Sequence, residues 1–578
     1  MTLAKALDAD QRADALDQLG SGELDVLVVG GGIVGVGAAL DAVTRGLKVG
    51  LVEQRDLASG TSSRSSKLVH GGLRYLEMLD FALVKEALEE RGLLLTRLAP
   101  HLVRPVPFLY PLEHAWERPY VGAGVALYDG MAMTGKYDMG VPKHKHVFRK
   151  QLARMAPDIR TDKLHGAIRY YDCQVDDARL VMTIARTAAN NGAHVATRTK
   201  VTGFLREGDP STGSGQGRVV GATVRDLEGE RDIEVRAKVV INAAGVWTDE
   251  VQQLIGGQAQ LDVDASKGIH LVVPRDRIRS ECGFITKTEK SVLFVIPWGQ
   301  FWIIGTTDTA WDYDLAHPAA SKTDIDYLLG HVNRLLKDPL DHRDVIGVWA
   351  GLRPLLKPMR KEGEMGETTK LSREHTVANP VPGLVLVAGG KLTTYRVMAK
   401  DAVDHAIRDF GVTPASITDR VPLMGAWGHE ARTNQRVALS RSSGLDVGVI
   451  DHLLGRYGGL VDEVLDLIHQ RPELGEPLAG AEHYLRAEVL YAATHEGARH
   501  LDDVLARRTR VSIETFDRGI SAARPAAELM AEALGWDEAQ VADEVDHYLR
   551  RVEAERQSQL MPTDQEADEA RVKAPEIV

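Results

Sequence analysis

The rhythm of apolar and polar positions changes along the chain and divides it. Residues 25–29 form a short run, apolar after Asp25 and β-branched at Val26, Val28 and Val29, as a buried parallel strand requires. Small and apolar residues from 33 to 45 predict a helix ended by Gly46, and 48–52 predict a second strand. Similar runs predict strands at 192–205, 218–225, 233–241 and 385–388, and a helix over 81–98. The proline-punctuated 104–111 reads as extended, and the polar GDPSTGSGQG at 208–217 as a hairpin tip. Residues 1–22 read as a leading amphipathic helix and linker. From about residue 414 alternation disappears, and helices are expected at 483–496, 501–507 and 537–556. These patterns predict an α/β body over 23–416, an all-helical domain over 417–556 and a polar, disordered tail over 557–578.

Composition narrows the partners. The chain has 578 residues, too many for one core, with a formal net charge of −12 that argues against non-specific nucleic-acid binding. Two cysteines, Cys173 and Cys282, cannot build a disulfide framework or a cysteine metal cluster, and suggest a reducing cytoplasm. No apolar run is long enough to span a bilayer, so any membrane contact is expected to be peripheral.

The turn between the first strand and helix carries the first chemistry. Gly30, Gly32 and Gly35 give GxGxxG. The first glycine allows the tight turn, the second admits a pyrophosphate to the backbone, and the third lets helix and strand pack closely. Ile33 opens the helix whose N-terminus favours phosphate. Glu53, at the end of the second strand, is placed to accept ribose hydroxyls, with Gln54 beside it. Small residues then dominate 59–72, including Thr61, Ser62, Ser65 and Ser66, with Lys67, Leu68, His70 and Gly71 leading into HGGLRYLE. Such a segment lets backbone approach a flat ligand. Ala243, Ala244, Gly245 and Trp247 follow a later strand, and Gly389, Gly390, Lys391 and Leu392 follow another. Both are close approaches at the carboxyl ends of strands, where open α/β sheets bind ligands.

Taken together, GGGIVGVG, RSSKLVHGGLRYLE, DCQVDDARL, NAAGVWTDE, KGIHLVVPR, SVLFVIPWG, IGTTDT, AGLRPLL and GGKLTTYR resemble the FAD-dependent glycerol-3-phosphate dehydrogenases of the bacterial aerobic type. The match runs from about 24 to 400, and EVLYAATHEGARHLDDVLARRTR resembles the same family's helical cap. The resemblance implies FAD bound in a glutathione-reductase-like fold of the D-amino-acid-oxidase branch. FAD parts are expected at about 23–100, 165–262 and 345–412, interleaved with a mixed-sheet substrate domain. It further implies oxidation of glycerol 3-phosphate to dihydroxyacetone phosphate, transfer of electrons to a membrane quinone, a place on the inner face of the cell membrane, and a possible homodimer.

The residues supply a chemical case beside the resemblance. A phosphate dianion with a secondary alcohol needs fixed cations and a proton acceptor. Arginine's planar fork binds two phosphate oxygens at once. Arg74 in HGGLRYLE, Arg353 in AGLRPLL and Lys391 in GGKLTTYR sit in glycine-rich turns, and the resemblance places all three around the flavin. His270 is a candidate base, although Arg353 could instead polarise the forming C2 oxygen. His70 is expected against flavin. Tyr75 and Thr393 are expected to neighbour the substrate, and Asp308 to fix a turn or act chemically. Two further readings remain open: an oxidase that reduces oxygen to hydrogen peroxide, and a non-catalytic flavin-binding subunit. The apolar 120–133 beside the basic KHKHVFRK at 143–150 is either a membrane contact or a core helix followed by a charged turn.

Overall fold

The computed structural model of the protein describes residues 4–207, 217–256, 263–288, 292–356, 375–574 and 577. The expected hairpin tip at 208–216 lies outside them, but the strands Thr199–Glu207 and Arg218–Asp226 on either side pair antiparallel, with Glu207 opposite Arg218.

Strand Glu23–Val29 sits inside the first sheet, parallel to Arg231–Asn242 on one side and to Val49–Val52 on the other. Leu384–Gly389 and His194–Ala196 extend the parallel set outward. Helix Ile33–Thr44 is buried almost all round because it packs between helices Asp177–Asn190 and Tyr395–Ala406. This three-helix layer and the apolar face of the sheet form one core, with Val26, Val28, Val36, Leu51 and Val385 almost fully enclosed. Leu16 and Leu19 of the leading helix Ala9–Ser21 close the opposite face, and Asp8 caps that helix by accepting from Gln11 N–H.

The single strand expected at 192–205 is divided into His194–Ala196 and Thr199–Glu207. Arg198 stands between them at φ 54°, and its guanidinium is held by Asp503. A non-glycine residue in the left-handed region breaks the ladder. The periodicity cannot show this, because the reason lies 305 residues downstream.

A second, mostly antiparallel sheet carries the candidate substrate chemistry. Strand Val263–Pro274 pairs with both Gly347–Leu356 and Phe301–Gly305, setting Ser266 opposite Arg353 and His270 opposite Trp349 and Gly305. The proline-rich strand Arg104–Leu112 pairs along its length with Gly166–Gln174.

The expected change near 417 falls in an irregular stretch between helices Tyr395–Ala406 and His429–Asn434. Beyond it a separate apolar core is built from helices, with Leu453, Val464, Tyr491, Met530 and Val552 inside. Two expectations for this region are corrected. The helix predicted from 483 begins at Arg486, because Ala481–Leu485 folds back on Pro477–Leu478 as a short hairpin. The tail predicted to be disordered forms helix Asp564–Arg571. Thr563 caps it, Ala567 and Ala570 face inward, and Asp564 lies 2.5 Å from the buried Lys267 ammonium. Its polar composition hides a helix whose few small apolar positions suffice once a buried cation offers an ion pair.

Candidate active site

Two cavities meet over the carboxyl ends of the parallel strands. One, with a void of about 1180 Å³, is walled by Gly30, Gly32, Ile33, Glu53, Gln54, Thr61, Ser62, Ala243, Ala244, Gly245, Trp247, Gly389 and Gly390. The other, about 1590 Å³, is walled by Ser65, Ser66, Leu68, His70, Tyr75, His270, Arg353 and Thr393. Ile33, Thr61, Ser62, Pro354, Gly390, Lys391 and Leu392 belong to both walls, so the two form one continuous cleft.

The first cavity fits a dinucleotide. Gly32 caps helix Ile33–Thr44 without offering a side chain, and Ser62 Oγ accepts the Ile33 N–H at 2.9 Å, at a helix N-terminus of the kind that favours phosphate. A Cβ on Gly30 would lie 2.7 Å from the Ala243 carbonyl oxygen, and one on Gly35 would overlap the Gly30 carbonyl. Glu53 is half-buried, and its carboxylate accepts the N–H groups of Gly31 at 2.6 Å and Arg55 at 2.7 Å. Burial raises its pKa, opposed by those two donors. A carboxylate oxygen accepts more than one hydrogen bond, so capacity for ribose hydroxyls remains.

The second cavity gathers a cation, an imidazole and their supports. Arg353 donates to Thr306 Oγ1 at 3.2 Å, to the Thr307 carbonyl at 3.1 Å and to Asp308 at 3.2 Å. Asp308 also accepts from Ser266 Oγ at 2.5 Å, so it orients the arginine. Gly268 makes the room: a Cβ there would stand 2.4 Å from Arg353 Nη2. Gly305 does the same for His270, where a Cβ would come within 2.2 Å of the ring. His270 is buried, stacked on Trp349 at 4.8 Å between centroids, and bonded through Nε2 to Ser66 Oγ at 2.8 Å. Burial first, then the charges of Arg353 and Lys67, hold its pKa well below the usual histidine range. The ring is therefore neutral at pH 7 and carries a lone pair for a proton.

Lys391 Nζ lies 3.6 Å from the Tyr75 ring centroid, a cation–π contact between two expected substrate neighbours. Thr393 Oγ1 accepts the His70 N–H at 3.1 Å and stands 3.3 Å from the His70 carbonyl, so it anchors the loop from the Lys391 side.

The model described as FAD dependent oxidoreductase matches residues 25–400. The chain belongs to this family. A second match, described as the C-terminal domain of alpha-glycerophosphate oxidase, covers 416–541. Glycerol-3-phosphate dehydrogenase 2 of Mycobacterium tuberculosis is 55% identical over 99% of this chain and 95% of its own. The mitochondrial glycerol-3-phosphate dehydrogenase of Homo sapiens is 38% identical over 91% of this chain and 73% of its own. The crystal structure of the glycerol-3-phosphate dehydrogenase from Bacillus halodurans complexed with FAD superposes with a TM-score of 0.75 at 29% identity, covering 95% of this chain and 98% of that one.

Not every expected position reaches the cavity walls. Gly35, Lys67 and Gly71 line neither cavity. Gly35 acts through helix–strand contact. Lys67 is enclosed and pairs with Asp177 at 2.7 Å, because a fully buried ammonium needs a carboxylate more than a ligand. Gly71 donates its N–H to Tyr128 Oη instead of facing the cleft. Arg74 begins the short helix Arg74–Glu77, and its side chain lies outside the described residues. The sequence reading missed Tyr170, Asp172, Ile285, Val292, Phe294 and Thr306 on the second wall. Only the polar DCQ and GTTDT stretches marked two of them. The apolar ones look like ordinary strand residues.

Proposed function

We propose that the protein oxidises sn-glycerol 3-phosphate to dihydroxyacetone phosphate and delivers the electrons to a membrane quinone. The observation that carries this is the convergence of Arg353, Lys391 and His270 on a cavity continuous with the dinucleotide cleft. When bound, FAD supplies the hydride acceptor for the substrate's C2. The protein binds the ester: Arg353, held by Asp308 and Thr306, offers its fork to phosphate or to the forming C2 oxygen, and Lys391 adds a second positive charge. His270 takes the hydroxyl proton at Nε2, the nitrogen that meets Ser66 Oγ, since Nδ1 is enclosed, and Trp349 fixes the ring. Glu53 and the glycine turn hold the adenosine side, and the 61–66 loop covers the flavin side. The curated relatives at 55% and 38% identity support the substrate, since both are named for it.

Purified yellow protein mixed anaerobically with glycerol 3-phosphate should lose its flavin absorbance within one turnover, and glycerol should leave it unchanged. A spectrum unmoved by the phosphate ester would remove the substrate assignment. Stoichiometric hydrogen peroxide in air, with no quinone reduction, would replace the quinone by oxygen.

The quinone requires contact with a bilayer. No helix among the described residues is long and apolar enough to cross one. We place the contact on helix Glu117–Met133 and the neighbouring strand Lys145–Phe148, where Trp116, Tyr120, Leu127, Met133 and Phe148 are exposed.

A further inference from the structure

Two buried polar side chains, Tyr128 and Asp172, meet at the Gly71 N–H, a third, Arg91, holds Asp172, and the chemistry described above uses none of them. Tyr128 lies on helix Glu117–Met133, Arg91 on helix Phe81–Leu93 and Asp172 on strand Gly166–Gln174. Each is at most 2% exposed. Gly71 N–H donates to Tyr128 Oη at 2.8 Å, and Tyr128 Oη donates to Asp172 Oδ1 at 2.6 Å. Arg91 donates to the same carboxylate oxygen at 2.9 Å and to the Tyr171 carbonyl at 3.2 Å. Burial raises the Asp172 pKa, while Arg91 and Tyr128 pull it back.

Gly71 links Tyr128 and Arg91, which lie off both cavity walls, to the substrate cavity, whose wall Asp172 itself joins. It has no room for a side chain: a Cβ would lie 2.7 Å from both Leu88 and the Tyr128 hydroxyl. The next residue, Gly72, turns at φ 72°, and a Cβ there would meet the Tyr75 ring at 2.4 Å. Tyr75 in turn carries Lys391 on its face. His70, one residue earlier, is pinned by Thr393. The turn is therefore clamped at two consecutive residues, from the Lys391 side and from the Tyr128 side.

A buried ion pair is weak evidence for stability, because apolar residues of similar volume pack as well or better. What the group supplies is a fixed place for one N–H. We infer that Arg91, Asp172 and Tyr128 are positioning residues that set the 70–75 turn, and through Tyr75 and Lys391 the affinity for the phosphate ester. This rests on reading the second cavity as the substrate site.

The test is Tyr128→Phe, which keeps the ring and removes the hydroxyl, assayed as full-length holoenzyme. Flavin content should be unchanged, since Tyr128 is off the first cavity's wall. The KM for glycerol 3-phosphate should rise about tenfold, the scale of one lost buried hydrogen bond, with kcat changed less than about twofold. Val84→Ala, which loosens the same apolar cluster without touching these hydrogen bonds, serves as the structural control. An unmoved KM in Tyr128→Phe overturns the inference, as does an equal KM rise in Val84→Ala at a matched melting temperature. Failure of the substrate reading looks different: the unaltered protein itself would not oxidise glycerol 3-phosphate.

Discussion

Arg510 Nη2 stands 2.6 Å from Asp177 Oδ1, so the C-terminal helical part grips the acid that organises the loop beneath the cleft. Asp177 also accepts from the Ser65 N–H and hydroxyl and from Lys67 Nζ. Asp177→Asn leaves two enclosed cations facing a neutral amide. Breaking a buried pair this way costs about 3–5 kcal/mol. The expected outcome is a lower melting temperature together with easier loss of flavin on dilution. A variant that melts earlier but keeps its flavin as tightly as before would separate the loop from the cofactor.

Gly268→Ala tests the cradle around Arg353. The new Cβ would press on Nη2 at 2.4 Å and on Thr306 Oγ1 at 2.5 Å, forcing the guanidinium off its supports at a cost of about 1–3 kcal/mol. kcat/KM for glycerol 3-phosphate should fall about tenfold or more. Flavin binding should hold, because Gly268 lies only on the second wall. Equal activity in the alanine variant would mean that Arg353 need not sit where it does.

Removing Arg353 itself asks which end of the substrate it serves. Arg353→Ala should cost about 2–5 kcal/mol in transition-state binding if the contact is desolvated. If Arg353 holds the phosphate, glycerol is an equally poor substrate for both proteins, and only the phosphate ester separates them. If it polarises the C2 oxygen, both substrates suffer alike. Comparing kcat/KM for the two compounds in the two proteins decides between these.

His500 sets a pH dependence far from the chemistry. Burial opposes its charge, but hydrogen bonds to Glu228 and Glu544 overcome that and hold its pKa up at about 9. The folded value is above the unfolded one of about 6.5. Its contribution is thus complete below about pH 6.5 and is lost as pH rises through 9, on the order of 3 kcal/mol in all. Chemical denaturation should show stability falling across that window, and His500→Gln should flatten the fall. An unchanged slope in the variant would assign the pH dependence to another group.

The parallel sheet and the glycine turn were legible because each depends on neighbours in sequence: apolar runs for strands, small residues for the turn, an acid one strand later. Glu53 and Ile33 line the cleft for that reason. The place of Lys67 was not legible, because a glycine- and serine-rich loop makes every polar residue in it look like a ligand contact. Whether such a side chain faces the cleft or a carboxylate depends on Asp177, 110 residues away. The same distance problem hid Asp172, Phe294 and Thr306, which reach the cavity only once the second sheet is assembled. The tail helix was lost to composition, since nothing local announces that Lys267 will need Asp564.

The basic run at 143–150 was ambiguous in sequence, and the fold now gives it a shape to test. Helix Glu117–Met133 turns Val125, Tyr128 and Ala132 inward and leaves Tyr120, Leu127 and Met133 exposed. The strand Lys145–Phe148 lies against the same helix, where a Cβ on Gly122 would meet the His146 ring at 2.8 Å and Arg118 covers the Phe148 ring at 4.5 Å. Lys143, Lys145, Arg149 and Lys150 are all exposed beside this apolar face. Each should contribute about 1 kcal/mol near an anionic surface, and the overall charge of −12 is screened beyond about 8 Å at physiological salt. Binding to vesicles containing phosphatidylglycerol should therefore weaken as salt rises. Changing the four cations to Gln should release the protein and slow quinone reduction, while a soluble dye is reduced at the normal rate. The apolar half is tested separately by Tyr120→Ser with Leu127→Ser, which should weaken binding without altering its salt slope. Vesicle binding untouched in both sets would move the contact away from this face, with the leading helix Ala9–Ser21 the next surface to alter.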